Sequence, residues 1–307
     1  MPASRGPGAF RRLDLQVQRR LDGLLAGEHQ GLRLGPGSDA EELTRYQPGD
    51  DVRRIDWNVT ARAVQPQVWR TRADHAVDTW LLLDETASMA FGTATAEKGD
   101  LADQLAAAVG LLTDGPGNRL GLATFGAHGL VWQQPVAGRV AAQRALRRAS
   151  GRPRDGVPPT GLADALDVLG RRHRRPGIRV VVSDLLDPTG RLQRPFDWEP
   201  ALRRLTARHD VVVLEVVDPR ELQLPDVGHL VLVDPETGRR RDVPTGDARL
   251  RARYSAAAAA HRLAVAASVR SCGAAHVRLH TDRDWVADLA RAVRSRRTTP
   301  VRRRRVR

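Results

Sequence analysis

Residues 79–89, TWLLLDETASM, decide the reading of this chain. An apolar strand runs into an acid, and side-chain oxygens recur at alternate positions: Asp84, Thr86 and Ser88. One carboxylate and two hydroxyls this close together suit a hard divalent cation, because Mg²⁺ takes oxygen ligands at about 2.0–2.1 Å in octahedral geometry. The run holds no Cys or His for a softer metal. A strand that stops at such a loop predicts an ion at the edge of a sheet.

Working outward, WLLL, RVVV and VVVLEVV are apolar without alternation, as strands buried on both faces must be. Strand and helix alternate from residue 79. The stretch 99–113 reads as a helix, NRLGLATF as a strand and 138–149 as a helix; TGLADALDVLG and WEPALRRLTARH read as helices flanking the strand IRVVVSD, and DVVVLEVVD as a strand. This succession predicts an α/β fold, a doubly wound, mostly parallel sheet with helices on both faces. Beyond residue 220, GHLVLVD, the Ala-rich helix 247–271, AHVRLH and a last helix near 283–295 are expected to complete the sheet and its cover. Upstream, Leu13, Val17, Leu21, Leu24 and Leu25 recur at helical spacing over 11–27 and end at Gly27. The expected division is an N-terminal helix and charged block at 1–78, the α/β domain at 79–290 and a basic, disordered tail at 291–307.

The formal net charge is +14, and nine arginines without an acid fall in the tail alone. That tail, with Arg302 to Arg305 in a row, is either a self-repelling solvated end or a contact for phosphates or anionic lipid headgroups. Four Phe, two Tyr and six Trp are too few for an aromatic platform that stacks single-stranded nucleic acid. No apolar run approaches the roughly 20 residues needed to span a bilayer. The basic start lacks an apolar h-region, and a lone Cys272 leaves no intrachain disulfide framework. A cytoplasmic location is expected.

Two further positions join the opening motif. Asp184 ends the strand IRVVVSD, and Thr160 follows Pro158-Pro159 and opens a helix. In open α/β sheets ligands gather beyond the carboxyl ends of strands, where the strand order reverses. Each residue has an ordinary alternative: Thr160, Thr86 and Ser88 as helix caps, the aspartates as turn formers. Together they are two carboxylates and three hydroxyls at strand ends.

This set resembles the metal-ion-dependent adhesion site of von Willebrand factor A domains, whose pattern is Asp-x-Ser-x-Ser, a Thr before a helix and an Asp after a later strand. The matching positions are Asp84, Thr86, Ser88, Thr160 and Asp184, with Thr86 in place of the first Ser. The resemblance spans roughly residues 79–220. It implies Mg²⁺, or Mn²⁺ or Ca²⁺ in its place, bound directly by the hydroxyls and through waters by the acids, with an open position for a partner's carboxylate.

The block EELTRYQPGDDVRRIDWNVTAR at 41–62 is similar to the signature of family number fifty-eight of the bacterial domains of unknown function. The residues that carry the likeness are Arg45, Tyr46, Pro48, Gly49, Asp50, Asp51, Arg53, Ile55, Asp56, Trp57, Ala61 and Arg62. Members carry an A-type domain after this motif and are commonly encoded beside MoxR-type AAA+ ATPases. The resemblance implies an adaptor or co-chaperone for such an ATPase and carries no enzymatic activity across. From the residues alone, the block is a buttress folded onto the sheet domain with Ile55 and Trp57 as apolar anchors, a partner-docking surface, or an acidic cluster of Asp50, Asp51 and Asp56 that Arg53 and Arg54 contest.

Rival chemistries are weaker. LLLDE has the look of an ATPase strand, but the single lysine, Lys98, lies in GTATAEKGD, which is not a phosphate-binding loop. A phosphatase of the Asp-x-Asp type needs a carboxylate where Thr86 stands. GPGNRLG at 115–121 follows a helix and precedes a strand, the reverse of a dinucleotide loop. A metal-dependent hydrolase of phosphoesters or peptides remains the alternative, since a bound ion activates water. His276 and His280 are expected at the surface.

Overall fold

The computed structural model describes residues 41–47, 52–63, 65–71, 78–93, 96–114, 118–138, 159–187, 190–234 and 238–298, with positions 140, 141 and 144. The expected helix at 11–27, the turn Pro48-Gly49 with Asp50 and Asp51, and residues 299–307 lie outside that set.

The main sheet has six strands: β3 (Asp78–Glu85), β4 (Arg119–Gly126), β5 (Val131–Val136), β6 (Ile178–Ser183), β7 (Asp210–Val217) and β10 (Ala275–His280). Their order is β10-β7-β6-β3-β4-β5, parallel throughout except for β5, which runs antiparallel on the edge. This is the doubly wound, mostly parallel α/β fold expected from the sequence. The chain leaves β3 toward β4 on one side and returns to β6 on the other, so the order reverses at β3 and β6. Ligand crevices form at the carboxyl end of such a reversal.

Side chains of successive strand residues face opposite sides, so an apolar strand feeds two cores. Leu81 and Leu83 of β3 pack with α2 (Lys98–Leu112) and α6 (Trp285–Thr298) through residues such as Leu105, Val109 and Leu289. Trp80 and Leu82 face α3 (Leu162–Arg172), α4 (Glu199–Thr206) and α5 (Ala248–Ser271), where Leu166, Leu202 and Val265 close over them. Burying one such leucine contributes about 1.5–3 kcal/mol.

Three elements depart from expectation. GHLVLVD does not extend the sheet: it is β8 (His229–Val233), paired antiparallel with β9 (Arg240–Pro244) in a separate two-stranded ribbon. Alternate residues of β8, including Val231 and Val233, are exposed, as a strand covered on one face allows. The last helix continues to Thr298, past the expected tail boundary at 291; Val293 is buried on it and Arg291 pairs with Asp288 at 2.8 Å. The edge strand β5, with Pro135 in it, has no counterpart in the sequence reading. Pro is tolerated there because an edge strand leaves part of its ladder unpaired.

The signature block forms its own small sheet of β1 (Glu41–Arg45) and β2 (Gln67–Thr71), with the short helix α1 (Trp57–Thr60) between them. Asp56 caps α1 by accepting from the amides of Asn58 and Val59 at 3.0 and 3.1 Å, so its charge is used inside the block. Ile55 bridges to Val68, whereas Trp57 is 69% exposed and is not buried as a buttress onto the sheet domain would have it. As the first residue of a one-turn helix, it is carried on the outer face.

At the amino end of the sheet, the buried Arg179 donates to the carbonyls of Asp78, Ile178, His173 and Arg175 at 2.7–3.2 Å. His209 lies near it, with both ring nitrogens buried and without a hydrogen-bond partner among the described residues. Burial, then the charges of Arg179 and Arg208, hold the His209 pKa down at about 4. The unfolded chain takes that proton near pH 6.5. Stability from this group is therefore complete above about pH 6.5 and is lost as pH falls toward 4, on the order of 3 kcal/mol in all. Urea unfolding at pH 7.5 and pH 5 checks this: His209→Leu should flatten the loss between the two, and an equal loss in both proteins contradicts it.

Candidate metal centre

Asp84 is placed by strand pairing: β3 runs parallel between β4 and β6, and its carboxyl end delivers the side chain to the reversal. The carboxyl is 5% exposed. One oxygen accepts from the Thr86 amide at 2.9 Å and the Thr86 hydroxyl at 2.6 Å; the other accepts from the Ser183 hydroxyl at 2.5 Å. The chain then enters a 3₁₀ turn, Ala87–Ala90, which puts Ser88 Oγ 3.1 Å from Thr86 Oγ1. Thr86 occupies the capping position of this turn, yet its side chain makes no capping bond. Its hydroxyl is turned toward Asp84 instead.

Asp184 follows β6 directly and is 1% exposed. It accepts from the Leu186 amide at 3.0 Å, from Lys98 Nζ at 2.7 Å and from the Ser88 side chain. Between them Leu185, fully buried, adopts the left-handed conformation at φ 56°, and its amide donates to Ser183 Oγ at 2.9 Å. A non-glycine there costs on the order of 1–3 kcal/mol, and such residues gather at functional sites.

Thr160 comes to the same edge. Its amide donates to the Gly126 carbonyl at 3.0 Å, and Gly126 pairs with Glu85 across β3 and β4. The capping position of α3 belongs to Gly161, so the ordinary explanation of Thr160 as the cap fails. Gly126 has φ 156°, and a Cβ there would lie 2.5 Å from the Glu85 carbonyl oxygen. Gly126→Ala should therefore cost about 1–3 kcal/mol, since the obstructing atom is backbone. Urea unfolding measures it; a loss under about 0.5 kcal/mol would show that the strand ends yield freely.

The structure thus gathers Asp84, Thr86, Ser88 and Asp184 into one bonded cluster and puts Thr160 on the same sheet edge. Burial, then the Asp184 carboxylate, pushes the Asp84 carboxyl up to about 7, against its hydroxyl and amide donors. Burial also works to raise Asp184, but the Lys98 ammonium overcomes it and holds that carboxyl below its ordinary value. Among the described residues no three His, Cys, Asp or Glu side chains form a metal cluster. The set is instead two carboxylates with hydroxyls, the donors a hard cation takes. Adjacent vertices of an octahedron with bonds of about 2.0–2.1 Å lie about 3 Å apart, and the Thr86 and Ser88 oxygens have that spacing. The residues present fit a divalent ion.

Three participants escaped the sequence reading. Ser183 bonds Asp84 from the neighbouring strand, Lys98 pairs with Asp184, and Glu221 pairs with Lys98. Ser183 had one visible signal, a lone hydroxyl inside an apolar strand. Lys98 had another, as the single lysine among 50 basic residues.

The described signature residues belong to the β1–β2 block. Arg45, Arg53, Trp57 and Arg62 are exposed, Tyr46 and Asp56 are half-buried, and Pro48, Gly49, Asp50 and Asp51 fall outside the described residues. His276 is not at the surface as expected: its Nε2 lies 2.7 Å from Glu215 and its side chain is 7% exposed.

No helix among the described residues is long and apolar enough to cross a membrane. In solved structures the chain is similar to BatB from Bacteroides thetaiotaomicron, at 15% identity and TM-score 0.44, covering 73% of this chain and 100% of that one. It is also similar to a von Willebrand factor type A protein from Catenulispora acidiphila, at 13% identity and TM-score 0.34, covering 73% and 42%. Uncharacterized proteins of Mycobacterium bovis and Mycobacterium tuberculosis are 46% identical over 290 residues, covering 94% of this chain and 89% of theirs. The family described as "Protein of unknown function DUF58" matches residues 42–264, from the signature block through five of the six strands of the main sheet, and the chain belongs to that family.

Proposed function

We propose that this chain is a non-catalytic protein-interaction module whose grip depends on a divalent cation. The observation that carries the reading is the cluster at the strand reversal, above all the 3.1 Å spacing of Thr86 Oγ1 and Ser88 Oγ beside two buried carboxylates. Thr86 and Ser88 would hold Mg²⁺, Mn²⁺ or Ca²⁺ through their hydroxyls, with Asp84, Thr160 and Asp184 around it. When bound, the ion supplies positive charge at the sheet edge that a carboxylate from another protein completes. The chain's own part is to aim the donors: Ser183 fixes one oxygen of Asp84, the Thr86 amide fixes the other, and the Leu186 amide fixes Asp184. Glu85, the neighbouring acid, is exposed, whereas Asp84 and Asp184 are buried.

The partner proposed is a MoxR-type AAA+ ATPase, for which this chain acts as adaptor. Binding of the purified ATPase from the same genome, measured with Mg²⁺ and again with excess chelator, tests this. Loss of binding in chelator is expected. Binding that persists unchanged would remove the ion as the docking point. Turnover of a phosphoester or peptide that Asp84→Asn abolishes would instead establish the hydrolase alternative.

A further inference from the structure

Lys98 opens α2, and its side chain is fully buried against the site. Its Nζ pairs with Asp184 at 2.7 Å and with Glu221, which comes from the 3₁₀ turn Pro219–Glu221 after β7. Glu221 in turn pairs with Arg262 of α5 at 3.1 Å, and Arg262 reaches back to the Asp184 carbonyl at 2.9 Å. Burying an ammonium is costly unless carboxylates answer it, and here two do. Burial works to strip its proton, but Asp184 and Glu221 together raise its pKa, so it stays charged.

Among Asp84, Asp184, Glu221, Lys98 and Arg262 the formal charges leave one negative unit, and Lys98 has already answered Asp184. A divalent ion added beside Asp84 therefore meets an ammonium one carboxylate away. At short range in a poorly hydrated site, like charges repel by far more than in water. Resting on the divalent-cation reading of the cluster, we propose that Lys98 is a resident counter-charge that keeps the ion weakly held, so that tight binding requires the extra carboxylate of a partner. The lysine would then make metal and partner arrive together, and the site would discriminate against ions in their absence.

The test uses the full chain and Mn²⁺ alone as the probe, with free Mn²⁺ read by electron paramagnetic resonance and folding checked by circular dichroism. Lys98→Met should bind Mn²⁺ at least about tenfold more tightly than the wild type. Lys98→Arg, which keeps the charge, should bind like the wild type. Glu221→Gln should bind more weakly, because it leaves Lys98 with Asp184 alone and makes the cluster more positive. Equal or weaker binding by a folded Lys98→Met protein overturns the counter-charge role while leaving the metal reading intact. If Lys98→Met does not fold, Glu221→Gln decides: unchanged or tighter binding overturns the proposal. No Mn²⁺ binding by the wild type or any variant overturns it together with the metal reading.

Discussion

Asp84→Ala is expected to lower Mn²⁺ affinity by at least about a hundredfold, and to remove metal-dependent capture of any partner with it. Among the described residues, Asp84 is the one carboxylate of the cluster whose charge no basic side chain answers. Its oxygens are held by the hydroxyls of Thr86 and Ser183 and by the Thr86 amide, neutral donors all. Removing it takes away the net negative charge that attracts a cation. Ser88→Ala should be milder, about tenfold, because water can replace one neutral ligand. The Asp84→Ala protein should still fold, since the substitution relieves repulsion with buried Asp184. Calorimetric titration with a thermal melt alongside measures both. Equal Mn²⁺ affinities for Asp84→Ala and wild type would put any ion elsewhere.

Glu215→Ala is expected to cost about 3–5 kcal/mol of stability with no direct effect on the metal ligands. Glu215 sits in mid-strand on β7 with no exposure, inside an otherwise apolar run. It pairs with Arg262 at 3.1 Å, Arg278 at 2.8 Å and His276 at 2.7 Å. Burial opposes its ionisation, but the His276 bond and the two arginines win and hold its pKa at about 2. Truncation leaves Arg262, itself 3% exposed, short of a counter-charge. Because the folded pKa lies below the unfolded one, the wild-type contribution is complete above about pH 4.5 and fades as pH falls toward 2. Urea unfolding of Glu215→Ala at pH 7 measures the cost; a loss under about 1 kcal/mol would mean that Arg262 needs no counter-charge beyond its existing pair with Glu221.

What the sequence made legible follows from burial. β3, β6 and β7 stood out because strands covered on both faces are continuously apolar, and the aspartates that close β3 and β6 stood out with them. β5 and β9 were missed because edge and ribbon strands face solvent on one side and carry the mixed composition of loops, β5 with a proline besides. At the site, Asp84, Thr86 and Ser88 are local in sequence and share one turn, so their spacing was readable. Lys98 was not. Its partners Asp184 and Glu221 lie 86 and 123 residues away, and pairing at that range is set by how α2 lies across the sheet. Read locally, Lys98 was a failed phosphate-loop lysine; in three dimensions it pairs with Asp184 beside the proposed metal. His276 failed similarly, since its buried partner Glu215 sits on the neighbouring strand. Trp57 erred the other way, an aromatic residue that the fold leaves outside.

The proposed ion sits between the hydroxyls of Thr86 and Ser88 at the carboxyl edge of β3. Crystals of the wild-type chain grown with MnCl₂ and measured at the manganese absorption edge test it most directly. One anomalous peak is expected within about 2.3 Å of Thr86 Oγ1 and Ser88 Oγ, absent from crystals of Asp84→Ala. A map with no peak at that position, or with manganese bound to other residues while the cluster keeps its internal hydrogen bonds, would contradict it.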